Sequence, residues 1–391
     1  MHKNRQCLKR SYLVSVKGKI SSFIILTLLI IFFNVDMATS AAVGTDDVDY
    51  TQIQEIIDDI MKQDNSINFR DYVDKLMRGE EAFSLSSIGV QLIQSIKANI
   101  KGHMDTFARL ITIALVAAIF TNLSTAFKNN QVAETGYYIT YLLLFTLLIS
   151  SFIEASVIAA STIGQVLDFM KVLVPAYYIS VGFCTGSATS MVYYQAALGI
   201  ITLADIILVK LVIPMINFYM VIMLANNLSK EDMLSKLAAL LETVIKWLLK
   251  SLLAAVIGFQ TVQGLIIPVA DRVKRSALFR ASEAIPGVGN AIGGVTQTIL
   301  GAGVLLKNSI GVAGLIVIVT ICIIPIVKLV IISVIFKCSS ASLQPVSDKR
   351  IVECISASSK SADMLLHSVI VGAILFILSI TIVAVTTSGT I

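Results

Sequence analysis

The chain alternates long apolar stretches with short polar ones, and most of the apolar stretches lie after residue 106. A transmembrane α-helix needs about twenty mostly apolar residues to cross the hydrocarbon core of a bilayer. The stretches that approach or reach this length lie near 107–123, 137–158, 172–190, 198–226, 251–269, 289–308, 311–336 and 364–386. The pattern therefore predicts an all-α, polytopic membrane protein with about eight transmembrane helices, whose membrane domain covers residues 106–391.

The N-terminus has the order of features typical of a secretory signal peptide. Basic residues crowd positions 1–19, a short apolar run follows at Ser22–Phe33, and small residues occupy positions 38–42. This order predicts a signal peptide over residues 1–42. The alternative is an uncleaved anchor helix, and in either case the next segment is expected outside the cytoplasm.

Residues 43–105 form the only sizeable polar region, and their apolar positions recur at helical spacing. Three amphipathic faces result: Ile53, Ile56, Ile57, Ile60 and Met61; Phe69, Tyr72, Val73, Leu76 and Met77; and Ile88, Leu92, Ile96 and Ile100. Short helices of this kind bury little surface alone. The segment is therefore expected to pack on the membrane domain, lie on the lipid surface or bind a partner.

Basic residues between the apolar stretches predict the topology. Residues 271–283 and 337–363 are rich in Lys and Arg, which places both in the cytoplasm by the positive-inside rule. Residues 226–250 fall on the outer side in this arrangement although they carry four lysines. Their apolar spacing predicts an amphipathic helix that lies flat on the membrane, with Trp247 at the interface.

Proline spacing suggests an internal duplication. Pro175 and Pro214 are separated by 39 residues, and so are Pro286 and Pro325. The two units, 172–226 and 284–336, would be inverted relative to each other because one predicted span lies between them. Inverted repeats with broken helices are typical of secondary transporters, whereas a chance coincidence is the alternative.

Three charged residues lie inside predicted spans. Asp205 and Lys210 fall in the fourth span, and Lys328 falls in the seventh, shortly after Pro325. Charges within a bilayer are costly and often mark a transport pathway. The sequence therefore suggests a polar pathway lined by these three side chains, while local pairing or snorkelling to an interface is the alternative.

Small residues and prolines occur together in the C-terminal half. Glycines at this density allow close helix packing, or an unwound segment that lines a cavity. The residues expected to act as helix breaks or packing positions are Pro175, Pro214, Pro286, Pro325, Gly301, Gly303, Gly311 and Gly314.

The composition and the scarcity of reactive residues argue against an enzyme. Apolar residues make up 56% of the chain and charged residues 14%, and the net charge of +5 reflects topology rather than nucleic-acid binding. The five cysteines form no CxxC pair and the three histidines are scattered. No P-loop follows the glycines. We expect neither catalysis nor a metal or other cofactor.

Several motifs resemble one family. Val304–Gly314 (VLLKNSIGVAG), Ala270-Asp271, Ile285–Gly289 (IPGVG) and Leu343–Pro345 (LQP) resemble the signature of the stage III sporulation protein AE family. The leader, the short outer segment and the multi-span layout also match, so the resemblance covers nearly the whole chain. The stretch Val346–Lys349 departs from the family pattern because it is more charged.

The resemblance implies a function in endospore-forming bacteria. Members work in the mother cell, in a multi-protein complex of the membrane around the engulfed forespore. With a forespore partner, the complex is thought to form a channel or secretion-like apparatus that sustains forespore development. The implied partners are other stage III sporulation membrane proteins and the lipid bilayer. A secondary transporter, or a scaffold that recruits partners through the outer helices, is the alternative.

Overall fold

The fold is known from a computed structural model of the chain. It describes residues 49–61, 68–79, 100–102, 104–116, 118–119, 130–185, 187–228, 233–283 and 289–388. These residues belong to one compact unit, Ala42–Ile391. The predicted signal peptide and the predicted helix near residue 88 lie outside the described ranges.

All regular secondary structure in these ranges is helical, as predicted. The helices are α1 (Thr51–Met61), α2 (Phe69–Met77), α3 (Asn130–Thr185), α4 (Ser187–Ala204), a π-helical segment (Asp205–Val212), α5 (Ile213–Leu228), α6 (Ser235–Glu283), α7 (Gly289–Leu343) and α8 (Lys349–Ser388). Residues 104–116 are helical as well.

Four stretches within these helices are long and apolar enough to cross a membrane. They are Tyr138–Val181, Tyr194–Leu228, Gly301–Leu343 and Lys349–Ile382. This supports the prediction of a helical membrane protein but does not confirm eight transmembrane helices.

Two pairs of predicted spans are each a single helix. The spans near 137–158 and 172–190 share α3, which continues to Thr185, and the spans near 289–308 and 311–336 share α7. Two successive crossings require the chain to reverse direction between them, and a continuous helix does not reverse. With 56 residues, α3 is roughly 84 Å long at 1.5 Å per residue. As a single continuous helix, α3 is therefore longer than a bilayer is thick.

Residues 159–171 lie between two predicted spans and contain several polar side chains, yet they belong to α3. The hydroxyl of Thr162 donates to the carbonyl of Ile158, 2.7 Å away. On the surface, Nζ of Lys171 lies 2.8 Å from Oδ1 of Asp168. Because these polar groups find partners along the same helix, they do not interrupt it.

Helix α8 lies at the centre of the bundle. It contacts α3, α5, α6 and α7, and α3 and α7 also pack against each other. Leu365, Val369 and Phe376 of α8 are almost completely buried. Burying a large apolar side chain stabilises a fold by about 1.5–3 kcal/mol in water. Between helices in lipid, close packing contributes instead.

Helices α1 and α2 pack on the membrane-length helices of the same chain. Helix α1 contacts α3, and α2 contacts α7. Ile53, Ile57, Phe69 and Val73 are fully buried, and the amide of Phe69 donates to Oε1 of Gln54, 2.9 Å away. Of the three arrangements proposed for the outer segment, the structure shows packing within the chain for these two helices.

The predicted topology cannot hold for residues 226–250 and 337–363 together. Oε2 of Glu242 on α6 lies 2.5 Å from Nζ of Lys360 on α8, whereas the sequence placed these two residues on opposite sides of the membrane. The predicted flat helix is the first part of α6, which continues through the predicted loop 271–283. Trp247 is 66% exposed, but it lies on this long helix rather than on a separate one.

Gly314 allows α7 to pack closely against Leu173 of α3. A Cβ at this position would lie 2.5 Å from Cδ2 of Leu173, whereas a Cβ at Gly301 of the same helix would meet nothing within 4 Å. We expect Gly314→Val to destabilise the protein by about 1–3 kcal/mol because of overpacking. Thermal unfolding in detergent measures the change, with Gly301→Val as the matched control. Equal effects of the two substitutions would contradict the packing role of Gly314.

Glu242 connects α6 and α8 by accepting hydrogen bonds from Lys246 and Lys360. Burial opposes its charge, but the two lysines outweigh burial and lower the pKa of Glu242 below its ordinary 4.5. The folded state therefore binds the proton more weakly than the unfolded state. The stabilisation is complete above pH 4.5 and is lost as the pH falls through the lower folded-state pKa.

We expect Glu242→Gln to lower the thermal unfolding temperature near neutral pH, and the difference from wild type to shrink in acid. Glu353→Gln is the control, because Glu353 lies 3.6 Å from Lys349 and both side chains are exposed, so its removal has little effect. A difference that stays constant from neutral to acid pH would contradict the role assigned to the carboxylate.

Candidate functional site

Asp205 and Lys210 lie on the same side of the π-helical segment. Nζ of Lys210 is 3.7 Å from Oδ2 of Asp205. In a regular α-helix, residues five apart point about 140° away from each other, because each residue turns the helix by roughly 100°. The π-helical hydrogen bonds, from residue i to i+5, bring such residues together. The π-helical geometry therefore places these two side chains close enough to form an ion pair.

The π-helical segment ends beside Pro214, the second residue of α5. The amide of Ile213 donates to the carbonyl of Leu208, five residues earlier. In an α-helix, a proline ring clashes with the carbonyl four residues earlier and offers it no N–H donor. For Pro214 that carbonyl belongs to Lys210. A wider turn before the proline relieves the clash, so Pro214 and the ion pair depend on the same local geometry.

The structure brings together two of the three residues predicted to line a polar pathway. Asp205 and Lys210 pair on the outer surface of the bundle, where the Lys210 side chain is 68% exposed. Lys328 is half-buried on α7, and no ion pair joins it to an acidic side chain within the described ranges. The pairing of Asp205 with Lys210 is the local alternative raised from the sequence.

The predicted helix breaks differ in outcome. Helices α3 and α7 continue through Pro175 and Pro325, so the chain is not broken at either proline. Pro214 follows the π-helical segment, and Pro286 lies outside the described residues. The region around Pro325 is α-helical throughout, so it lacks the π-helical turn that precedes Pro214. The internal repeat stays a prediction.

Only some of the glycines predicted as packing positions are shown to lie at a close helix contact. Gly311 and Gly314 lie where α7 meets α3, because a Cβ on Gly311 would be 3.3 Å from Cε2 of Tyr177. Gly303 is buried, and Gly301 faces open space. Of these four glycines, Gly311 and Gly314 are therefore the two shown to allow close contact with α3.

Lys307 is a site that sequence reasoning missed. Its side chain is fully buried, and its ammonium donates to the carbonyl of Ala384, 3.2 Å away. Ala384 lies near the C-terminal end of α8, where the helix dipole attracts a positive charge. The sequence placed Lys307 at the end of a predicted span, where a lysine would snorkel. Because α7 is continuous, Lys307 is instead enclosed by the bundle.

A second polar contact joins α6 to α8 nearby. The amide nitrogen of Gln260 donates to the hydroxyl of Ser379, and Gln260 is only 4% exposed. Together with Lys307, this contact fixes the C-terminal part of α8 from two neighbouring helices. A buried polar contact of this kind is specific, because a mismatched arrangement leaves an unsatisfied polar group.

An open polar cleft of about 380 Å³ lies at the other end of α8, beside the turn from α7. Oδ1 of Asp363 accepts hydrogen bonds from the hydroxyl of Ser333 at 2.5 Å and from Nζ of Lys337 at 3.0 Å. The lining also includes Lys360, Ser340 and Ser359. The charged side chains of the cleft are already paired, Lys337 with Asp363 and Lys360 with Glu242. These ion pairs connect α6, α7 and α8.

The described residues contain no group of three His, Cys, Asp or Glu side chains that could hold a metal ion.

Buried Cys354 lies 3.0 Å from the hydroxyl of Tyr141, which also donates to the carbonyl of Leu224. This arrangement joins α3, α5 and α8. The expectation that the protein is not an enzyme stays a prediction.

Lys307 provides a test of how the bundle holds a buried charge. We expect Lys307→Met to change the free energy of unfolding by about 1.5 kcal/mol or less, since the volume is conserved and the hydrogen bond to the carbonyl of Ala384 is lost. Lys307→Glu should cost about 3 kcal/mol or more, because it buries a negative charge beside carbonyl groups. Thermal unfolding in detergent ranks the variants, with exposed Lys171→Glu as the control. Equal stabilities of the Met and Glu variants would contradict this account.

Comparison with known proteins identifies the family. Residues 67–387 match the family model described as stage III sporulation protein AE. Stage III sporulation protein AE of Bacillus subtilis (strain 168) is 25% identical over 353 residues, which cover 88% of this chain and 86% of that protein. No solved structure matches the chain significantly. The resemblance seen in the sequence motifs is confirmed, and the chain belongs to the stage III sporulation protein AE family.

Proposed function

We propose that this protein is an integral component of a channel or secretion-like complex in the mother-cell membrane around the forespore, and that it is required for forespore development. The observation that carries the proposal is the family match over residues 67–387, which includes the membrane-length helices from α3 to α8. In this proposal the protein has no catalytic role, and the outer helices α1 and α2 lie outside the cytoplasm.

The outer surface of the bundle supports a place within a membrane assembly. Ile139, Leu142, Leu143 and Val157 of α3 are each more than half exposed. Exposed apolar side chains of this kind are stable in contact with lipid or with another transmembrane helix. The interior is filled by apolar side chains from α3, α7 and α8. These features favour a helical subunit that contributes surfaces to the complex.

Two alternatives lead to different expectations. A secondary transporter would place charged residues on an interior pathway, and the Asp205–Lys210 pair lies on the outside instead. A scaffold that recruits partners through α1 and α2 would need their apolar faces, yet Ile53, Ile57 and Phe69 are buried against the same chain. Both observations favour the membrane-component proposal.

The proposal predicts a sporulation defect after engulfment. In the native spore former, deletion of the gene should arrest forespore development, and the wild-type chain or Gly301→Val should restore it. The overpacked Gly314→Val variant should restore it poorly at equal expression. Spore counts and a reporter of late forespore gene expression measure the outcome. Normal spore formation without the gene would overturn the proposed requirement.

Membership of a complex is tested separately by affinity isolation of a tagged chain from sporulating cells in mild detergent. We expect other stage III sporulation membrane proteins to co-purify, and an unrelated polytopic protein carrying the same tag serves as the control. The exposed thiol of Cys338 reports orientation, because a membrane-impermeant reagent should label it only after the mother cell is opened. Isolation of the chain without any such protein would overturn membership.

A further inference from the structure

We propose that the outer face of the π-helical segment is an intramembrane contact surface for a second copy of this chain, centred on Asp205 and Lys210. The inference concerns self-association, so it goes beyond the proposed function and does not depend on it. It rests on the position of the ion pair, its exposure and the symmetry of its charges.

The ion pair lies within an apolar, outward-facing stripe. The apolar members of the stripe are between 42% and 56% exposed: Leu203, Ile206, Leu211, Phe218 and Val221. Successive members follow one another at helical spacing along α4, the π-helical segment and α5. Lys210 is a charged residue in the middle of this stripe, with 68% of its side chain exposed.

Lipid alone is a poor environment for this charge. The continuous helical stretch from α4 through α5 runs from Ser187 to Leu228, so Lys210 lies about 4 Å along the helix axis from its midpoint. When the middle of this helix lies at the centre of the 30 Å hydrocarbon core, the nearer aqueous interface is roughly 11 Å from Lys210, which is beyond the reach of a lysine. Charged side chains at this depth almost always face protein or water. The exposed ion pair therefore requires a polar partner.

The remaining bonding capacity of the pair defines that partner. A separation of 3.7 Å is a loose contact, and an ammonium has three donors while a carboxylate has about four acceptor sites. Each group can thus accept a second neighbour of opposite charge. A partner surface must present an acid and a base close together, which is what an identical chain presents.

Symmetry makes two copies complementary. Two copies inserted in the same direction are related by a two-fold axis along the membrane normal. The charged atoms of Asp205 and Lys210 are 3.7 Å apart, so their heights along this axis differ by no more than that distance. Four charges at nearly one height around a two-fold axis alternate in sign, and each then has two neighbours of opposite charge.

A charge swap tests the contact while keeping the pair within each chain. The double variant Asp205→Lys with Lys210→Asp retains an acid and a base in contact, and two swapped copies again alternate in sign. When a swapped chain lies beside a wild-type chain, two pairs of neighbouring charges have the same sign instead. We expect each form to associate with itself, and the mixed dimer to be about tenfold rarer, which corresponds to about 1.4 kcal/mol.

The measurement uses two differently tagged full-length chains in membranes of a bacterium that does not form spores. A photoreactive side chain at Leu211 captures whatever lies against the stripe, and the same side chain at exposed Val157 of α3 is the control. Adducts carrying both tags should form at Leu211 when both chains are wild type or both are swapped. They should become rare when one chain of each kind is present.

Three outcomes would overturn the proposal: mixed pairs that form as often as matched pairs, adducts of Leu211 with lipid or an unrelated protein alone, and equal chain-to-chain adducts from Leu211 and Val157. If the swapped chain does not accumulate, the wild-type comparison of Leu211 with Val157 still decides the matter. Since the host forms no spores, a negative result here leaves the sporulation role to be judged by its own experiments.

Discussion

The structure depends on one constraint, which is that backbone polar groups within hydrocarbon must find their hydrogen bonds inside the chain. Helix α3 meets this constraint along most of its 56 residues, but at Pro175, which has no N–H, the intrahelical hydrogen bond to the carbonyl of Lys171 is missing. Polar side chains obey the same rule. The hydroxyls of Thr162, Ser358 and Ser368 each donate to a carbonyl four residues earlier. Polar residues therefore remain within helices instead of ending them.

Long continuous helices then require specific contacts to hold them in register. At one end of α8, Lys307 donates to Ala384, and at the other end Asp363 pairs with Lys337. Gly311 and Gly314 let α3 approach α7 between these polar contacts. Because lipid competes for apolar surface, close packing and polar pairs determine which helices associate. Helix α8 is central because both kinds of contact converge on it.

The sequence predicted the helical membrane fold, the amphipathic character of α1 and α2, and the family. These follow from hydropathy, periodicity and motifs, which are local properties. It failed where a local signal had two physical solutions. Polar residues around Asp168 fit either a loop or the surface of a long helix. The four lysines of residues 226–250 favoured the side on which residues 337–363 were placed, as the Glu242–Lys360 contact does, but the predicted order of spans put them on the opposite side. Neither ambiguity is resolved without the neighbouring helices.

Two lysines within membrane-length helices show that the hydropathy of a span does not reveal the role of a charged residue in it. Lys307 is enclosed by the bundle and is matched by the carbonyl end of α8, so its charge stabilises the association of helices already in contact. Lys210 points outward, and its partner Asp205 reaches it only because the turn before Pro214 is π-helical. A locally neutral pair remains polar, and its exposed donors and acceptors still favour a polar surface over hydrocarbon. The first lysine therefore completes the fold, whereas the second leaves an interaction that another molecule must complete.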